Sequence, residues 1–155
     1  DLALAAADYW GAVTTQAFAS APYRALADPV ERVLGYLDFR KAILKGTLPE
    51  YTCLAGMMVQ ETYETHPAIR EACRKTIHDH AAMVEADIAE AIVRRGMQGN
   101  WSAKGLALHT QAVLQGAFVL AKAEQDPGVA AACIDHLRRY LEMMFTNSPA
   151  KEVKQ

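Results

Sequence analysis

The sequence predicts an all-α fold with six helices in one domain, and three observations support this prediction. Alanine, the strongest helix former, accounts for 29 of the 155 residues. Apolar residues recur every three or four positions along most of the chain, which is the spacing of an amphipathic helix. Short breaks that contain proline, glycine or aspartate separate these segments, and no strand-like alternation is found.

Composition restricts the class of protein. The chain is 52% hydrophobic and 22% charged, as in ordinary soluble domains. The net charge is −2 and the 16 Lys and Arg residues are scattered, whereas a nucleic-acid surface needs clustered cations. Three cysteines without close spacing indicate reduced thiols, and no 18-residue apolar run or signal-peptide pattern is present, so we expect a cytoplasmic protein. We expect residues 1–145 to form the domain and residues 146–155 to form a polar tail.

The first two helices are bounded by proline and glycine. Residues 1–19 carry apolar side chains at helical spacing, and the helix is expected to end before Pro22. Asp28 and Pro29 supply an N-cap followed by proline in the first turn, which predicts the start of the second helix. Gly46 is expected to close that helix at its C-terminal cap.

The third and fourth helices follow another proline. The chain breaks at Pro49, and a short third helix is predicted from Thr52. Pro67 opens the fourth and longest helix, which Gly96 stops. His80 falls on the apolar stripe of this helix, which favours an inward position.

The last two helices are adjacent in sequence. Ser102 is the predicted N-cap of the fifth helix. Asp126 and Pro127 repeat the cap-and-proline signal and begin the sixth, whose apolar stripe continues to about Met144.

Three stretches resemble one known family. Residues 52–56 read Thr-Cys-Leu-Ala-Gly, which is similar to the Gly-Cys-Leu-Leu-Gly motif of the C-terminal domains of TetR/AcrR transcriptional regulators. Residues 66–70, His-Pro-Ala-Ile-Arg, resemble the family's Asn-Pro-Ala-Leu-Arg. Residues 115–121 and 125–127, Gln-Gly-Ala-Phe-Val-Leu-Ala and Gln-Asp-Pro, resemble its Gln-Gly-Ala-Leu-Leu-Leu-Ala and Gly-Asp-Pro. The three matches occur in the family's order. The resemblance as a whole covers residues from about 28 to 145, and residues 1–19 resemble the long helix that follows the family's DNA-binding head.

The resemblance implies a regulator's ligand-binding and dimerisation domain. The last two helices would pair with their copies as a four-helix dimer interface. The implied partners are a second copy of the chain, a small and largely apolar effector, and operator DNA. DNA would be bound by a helix-turn-helix head, which is expected before residues 1–19 and is absent from this chain. The sequence also departs from the family at Thr52, where glycine is usual.

The resemblance further indicates a ligand cavity between the short, long and penultimate helices. We assign to it one charged, three polar and four apolar residues: Leu37, Met58, Glu61, His80, Val84, Gln111, Gln115 and Phe118. For the dimer interface we assign Gly116, Leu120, Leu137, Leu141 and Met144. His80 has an alternative interpretation as a histidine at the edge of the core, and the two glutamines as a polar dimer seam.

Cys53 lies near a predicted helix N-terminus, where amide dipoles stabilise a thiolate, so it is a possible sensing thiol. The alternative, a small apolar residue packed at the helix start, is favoured. His78 and His80 are two apart on a helix and point to different sides, so we expect no metal site. No catalytic motif or cofactor motif is found. The rival hypotheses are an interaction bundle without a cavity and a small helical enzyme.

Overall fold

The computed structural model describes residues 2–146, and every regular element among them is helical. The seven α-helices, in chain order, are α1 (Leu2–Ala19), α2 (Pro29–Ala42), α3 (Leu48–Tyr51), α4 (Leu54–Thr62), α5 (Pro67–Arg95), α6 (Ala103–Glu124) and α7 (Pro127–Thr146). A 3-10 turn at Pro22–Ala25 lies between α1 and α2. The predicted all-α fold is confirmed. Residues 147–155, most of the predicted polar tail, lie outside the described residues.

Side-chain caps fix the starts of the main helices where the sequence predicted them. The Asp28 carboxylate accepts a hydrogen bond from the backbone N–H of Val30 at 2.9 Å, at the start of α2. Ser102 Oγ accepts from the N–H of Gly105 at 3.0 Å, at the start of α6. Each cap satisfies a backbone donor that the first helical turn leaves unpaired.

Two details of the predicted helices were wrong. The helix α2 ends at Ala42 rather than at Gly46, which lies in the following loop with φ of 87°. The Pro49 segment forms the one-turn helix α3 instead of a simple break. The Glu50 carboxylate accepts hydrogen bonds there from the Thr47 backbone N–H and from Thr47 Oγ1, and this local pairing stabilises a turn that helical periodicity cannot reveal.

Left-handed residues end the two long helices. Gly96 follows α5 with φ of 59°, as its type predicts. Gln125 follows α6 with φ of 53°, a conformation that normally favours glycine. The Gly-Asp-Pro pattern that residues 125–127 resemble therefore has a geometric basis, and here glutamine adopts the strained position.

The helix α5 is the centre of the bundle, with α1, α2, α4 and α6 packed around it. α7 packs on α6 and α2. The main apolar core joins α2, α5, α6 and α7, while a smaller cluster around Ala7, Ala55 and Cys73 joins α1, α4 and α5. Across residues 2–146, no helix has the length and apolarity needed to span a membrane.

Candidate ligand-binding site

A group of polar side chains is buried between α2, α5 and α6. The exposed fraction is 2% for Tyr36, 7% for Arg40, 6% for His80 and 4% for Gln111. Buried polar groups are costly unless they find partners, so the hydrogen bonds of this cluster decide whether it is structural or functional.

The Tyr36 hydroxyl is the hub of this cluster. It accepts hydrogen bonds from Gln111 Nε2 at 3.0 Å and from Arg40 Nε at 3.4 Å. With both lone pairs engaged, the hydroxyl donates its own proton to His80 Nε2, which lies 2.9 Å away. His80 therefore carries its proton on Nδ1. This Nδ1–H group is buried and has no hydrogen-bond partner among the described residues.

The electrostatic surroundings keep His80 neutral. Burial, assisted by the positive charge of Arg40, lowers the pKa of His80 from 6.5 to about 3. The Arg40 guanidinium stacks over the Phe18 ring, with 4.7 Å between its central carbon and the ring centroid. It also lies 5.6 Å from the Phe118 centroid. None of the ion pairs formed within residues 2–146 includes Arg40.

Two connected cavities open beside this cluster. The larger, of about 220 Å³, lies where the two apolar clusters meet and is lined by Trp10, Val13, Thr14, Ala17, Phe18, Arg40, Ile43, Glu50, Tyr51 and Cys53. The smaller, of about 20 Å³, shares four residues with it and reaches inward to His80, Gln111 and Gln115. Such a volume admits one water molecule or one small polar group of a ligand. Together they form an apolar cleft with a polar inner end, which we call the central cavity.

A third cavity, of about 180 Å³, lies between α4 and α6 and is lined by Cys53, Met57, Gln60, Glu61, Gln115, Phe118, Val119 and Lys122. It meets the central cavity at Cys53 and Gln115. Gly56 permits this close approach, because a Cβ atom there would lie 2.0 Å from Gln115 Oε1. The glycine of the motif at residues 52–56 thus leaves room for the Gln115 side chain beside α4.

The structure places the eight predicted ligand residues in different surroundings. His80, Gln111 and Gln115 line the central cavity, whereas Glu61, Gln115 and Phe118 line the cavity between α4 and α6. Val84 lines a narrow crevice beside Tyr36. The other two apolar residues lie in the packing clusters: Leu37 is fully buried in the main core, and Met58 packs against the smaller one.

The predicted dimer residues do not share one surface. Gly116 and Leu120 lie on the outward face of α6, and Leu120 is 50% exposed. Leu137 and Leu141 are 3% and 0% exposed and lie in the main core. Their side chains already pack inside the monomer, because the apolar stripe of α7 faces its own core. Met144 is half-buried.

The outward face of α7 carries other apolar groups. Tyr140 is 38% exposed and Met143 is 55% exposed. The Tyr140 ring contacts the His109 ring of α6 with 5.5 Å between centroids, so the exposed faces of the two helices are continuous. Apolar surface shared by two adjacent helices is typical of an interaction site.

Sequence reasoning missed Tyr36 and Arg40, which are central to the site. Both lie on the apolar stripe of α2 at helical spacing from Val33, and this spacing could have indicated that an arginine points inward. Trp10, Thr14 and Phe18 of α1 also line the central cavity. No local sequence pattern predicts this, because it depends on how α1 packs against the other helices.

Cys53 is the N-cap of α4, and its Sγ accepts a hydrogen bond from the N–H of Gly56 at 3.3 Å. Its side chain is half-buried and lines the cavities on both sides of it. Burial raises the pKa of Cys73, which packs in the smaller cluster. Within residues 2–146, no group of three or more His, Cys, Asp or Glu side chains could hold a metal ion.

Comparison with known proteins identifies relatives of this architecture. Residues 29–136 match the family model described as the transcriptional regulator LmrA/YxaF-like C-terminal domain, a TetR C-terminal domain. A TetR transcriptional regulator from Chloroflexus aurantiacus J-10-FL has a similar structure, with TM-score 0.80 and 24% identity, over 92% of this chain and 72% of that one. A TetR-family regulator from Agrobacterium tumefaciens gives TM-score 0.78 and 17% identity, over 93% and 73% of the two chains. Among curated proteins, none matches significantly.

Proposed function

This chain belongs to the TetR family of transcriptional regulators, and on that premise we propose that it senses a small effector and forms the regulator's dimer. The effector, largely apolar, would bind in the central cavity. One observation carries this proposal. The cavity combines aromatic and aliphatic walls with a few buried polar groups, which is the usual composition of a small-molecule site.

The cavity is also placed where a ligand can influence a neighbouring domain. Trp10, Val13 and Thr14 of α1 form one wall, and α2 and α5 supply the opposite wall through Arg40 and His80. In the family, a helix resembling α1 follows the DNA-binding head. A ligand that favours one position of α1 would alter the separation of two heads, and operator half-sites roughly 34–36 Å apart tolerate little change. We therefore expect the effector to change operator affinity, and expect the regulator to act in the cytoplasm as a repressor.

The dimer would form through the outward faces of α6 and α7. Gly116 allows close approach, since a Cβ atom there would meet nothing within 4 Å. Leu120, Tyr140 and Met143 would supply the apolar contact. Leu137 and Leu141 stay in the monomer core and take no part.

Native mass spectrometry of the 155-residue chain tests both parts of the proposal. We expect a dimer of two 17.0 kDa chains that takes up one apolar molecule per subunit from a panel of aromatic and aliphatic compounds. Thr14→Phe should abolish uptake, because Thr14 lines both parts of the central cavity. The matched control is Thr15→Phe, an exposed neighbour on the same helix, which should leave uptake unchanged.

The same spectra test the interface. Leu120→Glu should yield monomers, whereas Val93→Glu, on the exposed side of α5, should not. A wild-type monomer that takes up nothing from the panel would contradict the proposal and favour an interaction bundle. Uptake that Thr14→Phe leaves intact would place the ligand elsewhere.

A further inference from the structure

The inner end of the central cavity presents hydrogen-bond donors that have no acceptor. His80 Nδ1–H is buried and unpartnered, and it borders the smaller part of the cavity. Arg40 lines both parts, and its hydrogen bond to Tyr36 uses Nε alone. The terminal Nη groups of Arg40 have no acceptor within residues 2–146. Two different side chains with unused donors therefore line the same small space.

A buried guanidinium without a carboxylate is unusual. Charged groups that are removed from water are normally paired, because desolvation is costly. The cavity wall does contain the carboxylate of Glu50, but this group accepts a hydrogen bond from Thr47 Oγ1 at 2.8 Å. Aromatic stacking against Phe18 compensates only part of the cost.

The unpaired donors of Arg40 and His80 point to an effector with an acidic group, and we propose that it is an aromatic carboxylate. This inference rests on the proposed sensing function and specifies its ligand. The carboxylate would lie at the inner end, accepting from the Arg40 Nη groups and from His80 Nδ1–H. The ring system would occupy the larger space beside Trp10 and Phe18. Guanidinium groups bind carboxylates with two parallel hydrogen bonds, which gives both affinity and orientation.

The cavity limits the size of the ligand. An apolar cavity of roughly 150 Å³ holds benzene. The larger part of the central cavity has about 220 Å³, which indicates one or two fused rings rather than a drug-sized molecule. This range suggests 2-naphthoate as a probe and 2-naphthamide as its uncharged counterpart of nearly the same shape.

Isothermal titration calorimetry of the full 155-residue chain at pH 7 compares the two probes. We expect the carboxylate to bind at least about tenfold more tightly than the amide, because charge-assisted hydrogen bonds are the stronger ones. Arg40→Gln should reduce this preference, because it weakens naphthoate binding more than it weakens amide binding. Arg40→Lys should restore part of it. Arg94→Gln, an exposed arginine outside the cavity, controls for net charge.

The outcomes separate this inference from the proposed function. Equal affinity for both probes, unaltered by Arg40→Gln, would overturn the acidic ligand and leave an apolar sensing cavity. Failure of the wild-type chain to bind either probe would also overturn the inference of an acidic ligand. Uptake of compounds from the mass-spectrometry panel would then test the proposed sensing function independently. The comparison of the two probes on the wild-type chain needs no variant, so it tests the inference even if Arg40→Gln folds poorly.

Discussion

The helix α2 carries one buried arginine near each end, and the two have opposite surroundings. Arg32 is 9% exposed and forms ion pairs with Asp87, at 2.7 Å, and with Glu90. Arg40, two turns later, is 7% exposed and forms none within the described part of the chain. Both residues are largely buried, but within residues 2–146 only Arg32 forms ion pairs with carboxylates.

The Arg32 end has the properties of a structural network. Asp87 also pairs with Arg24, and Arg32 donates to the carbonyl oxygens of Leu26 and Ala27 at 3.0 and 3.2 Å. These bonds fix the connection between α1 and α2 onto α5. At the Arg40 end the partners are aromatic rings and a hydroxyl, and a cavity is adjacent. The comparison shows that two buried arginines on one helix differ in whether carboxylates pair with them, and the proposed ligand site lies beside the one that has no such partner among the described residues.

This comparison predicts the largest change in stability for a substitution at Arg32. We expect Arg32→Met to lower the free energy of unfolding by about 3 kcal/mol, because it leaves the buried Asp87 carboxylate with only the more exposed Arg24 as a partner. Urea denaturation followed by circular dichroism measures this change. A loss below about 1 kcal/mol would show that the network contributes no more than a surface pair.

A smaller change in stability is expected when the pH is lowered, and it arises from His80, which lies beside Arg40. Tyr36, Arg40 and Cys53 are the titratable groups beside His80. The folded-state pKa of His80, about 3, lies below the unfolded value of 6.5, so between these pH values the unfolded chain binds more protons. The contribution of neutral, buried His80 to the free energy of unfolding is fully present above pH 6.5. It is lost as the pH falls, at up to about 1.4 kcal/mol per pH unit.

His80→Gln removes this titration. The stability difference between wild type and His80→Gln, measured by urea denaturation from pH 7 to pH 5, should therefore change by about 2 kcal/mol in favour of the variant. Other groups titrate in both proteins and cancel. If the stability difference stays constant over this pH range, the pKa of His80 is not lowered in the folded chain.

The smallest effect is expected for Arg40→Met, the counterpart of Arg32→Met. The ligand-free variant should differ from wild type by less than about 1 kcal/mol, since no carboxylate loses its partner and the lost stacking offsets the relieved desolvation. The same urea experiment applies. If Arg40→Met proved as damaging as Arg32→Met, the guanidinium would be structural, and the contrast between the two ends of α2 would disappear.

Local sequence signals predicted most of the helices and their boundaries. The caps at Asp28 and Ser102 and the glycine at Gly96 lie where the sequence predicted them, because each depends on a few neighbouring residues. The one-turn α3 and the early end of α2 escaped prediction, since short elements have too few residues to show a period. Among the candidate ligand residues, His80 was named for its position on an apolar stripe and Gln111 for its spacing with Gln115 and Phe118, and both border the central cavity.

By itself, the sequence determined the helical class, the order of the main helices and the family resemblance, because periodicity, caps and motifs are encoded locally. Tertiary structure alone decided that Leu141 faces its own core, that Thr14 of α1 reaches the cavity beside His80, and that Arg40 is buried without a counter-charge. These properties depend on which helices meet and on what stands opposite each side chain. No stretch of sequence contains both sides of such a contact.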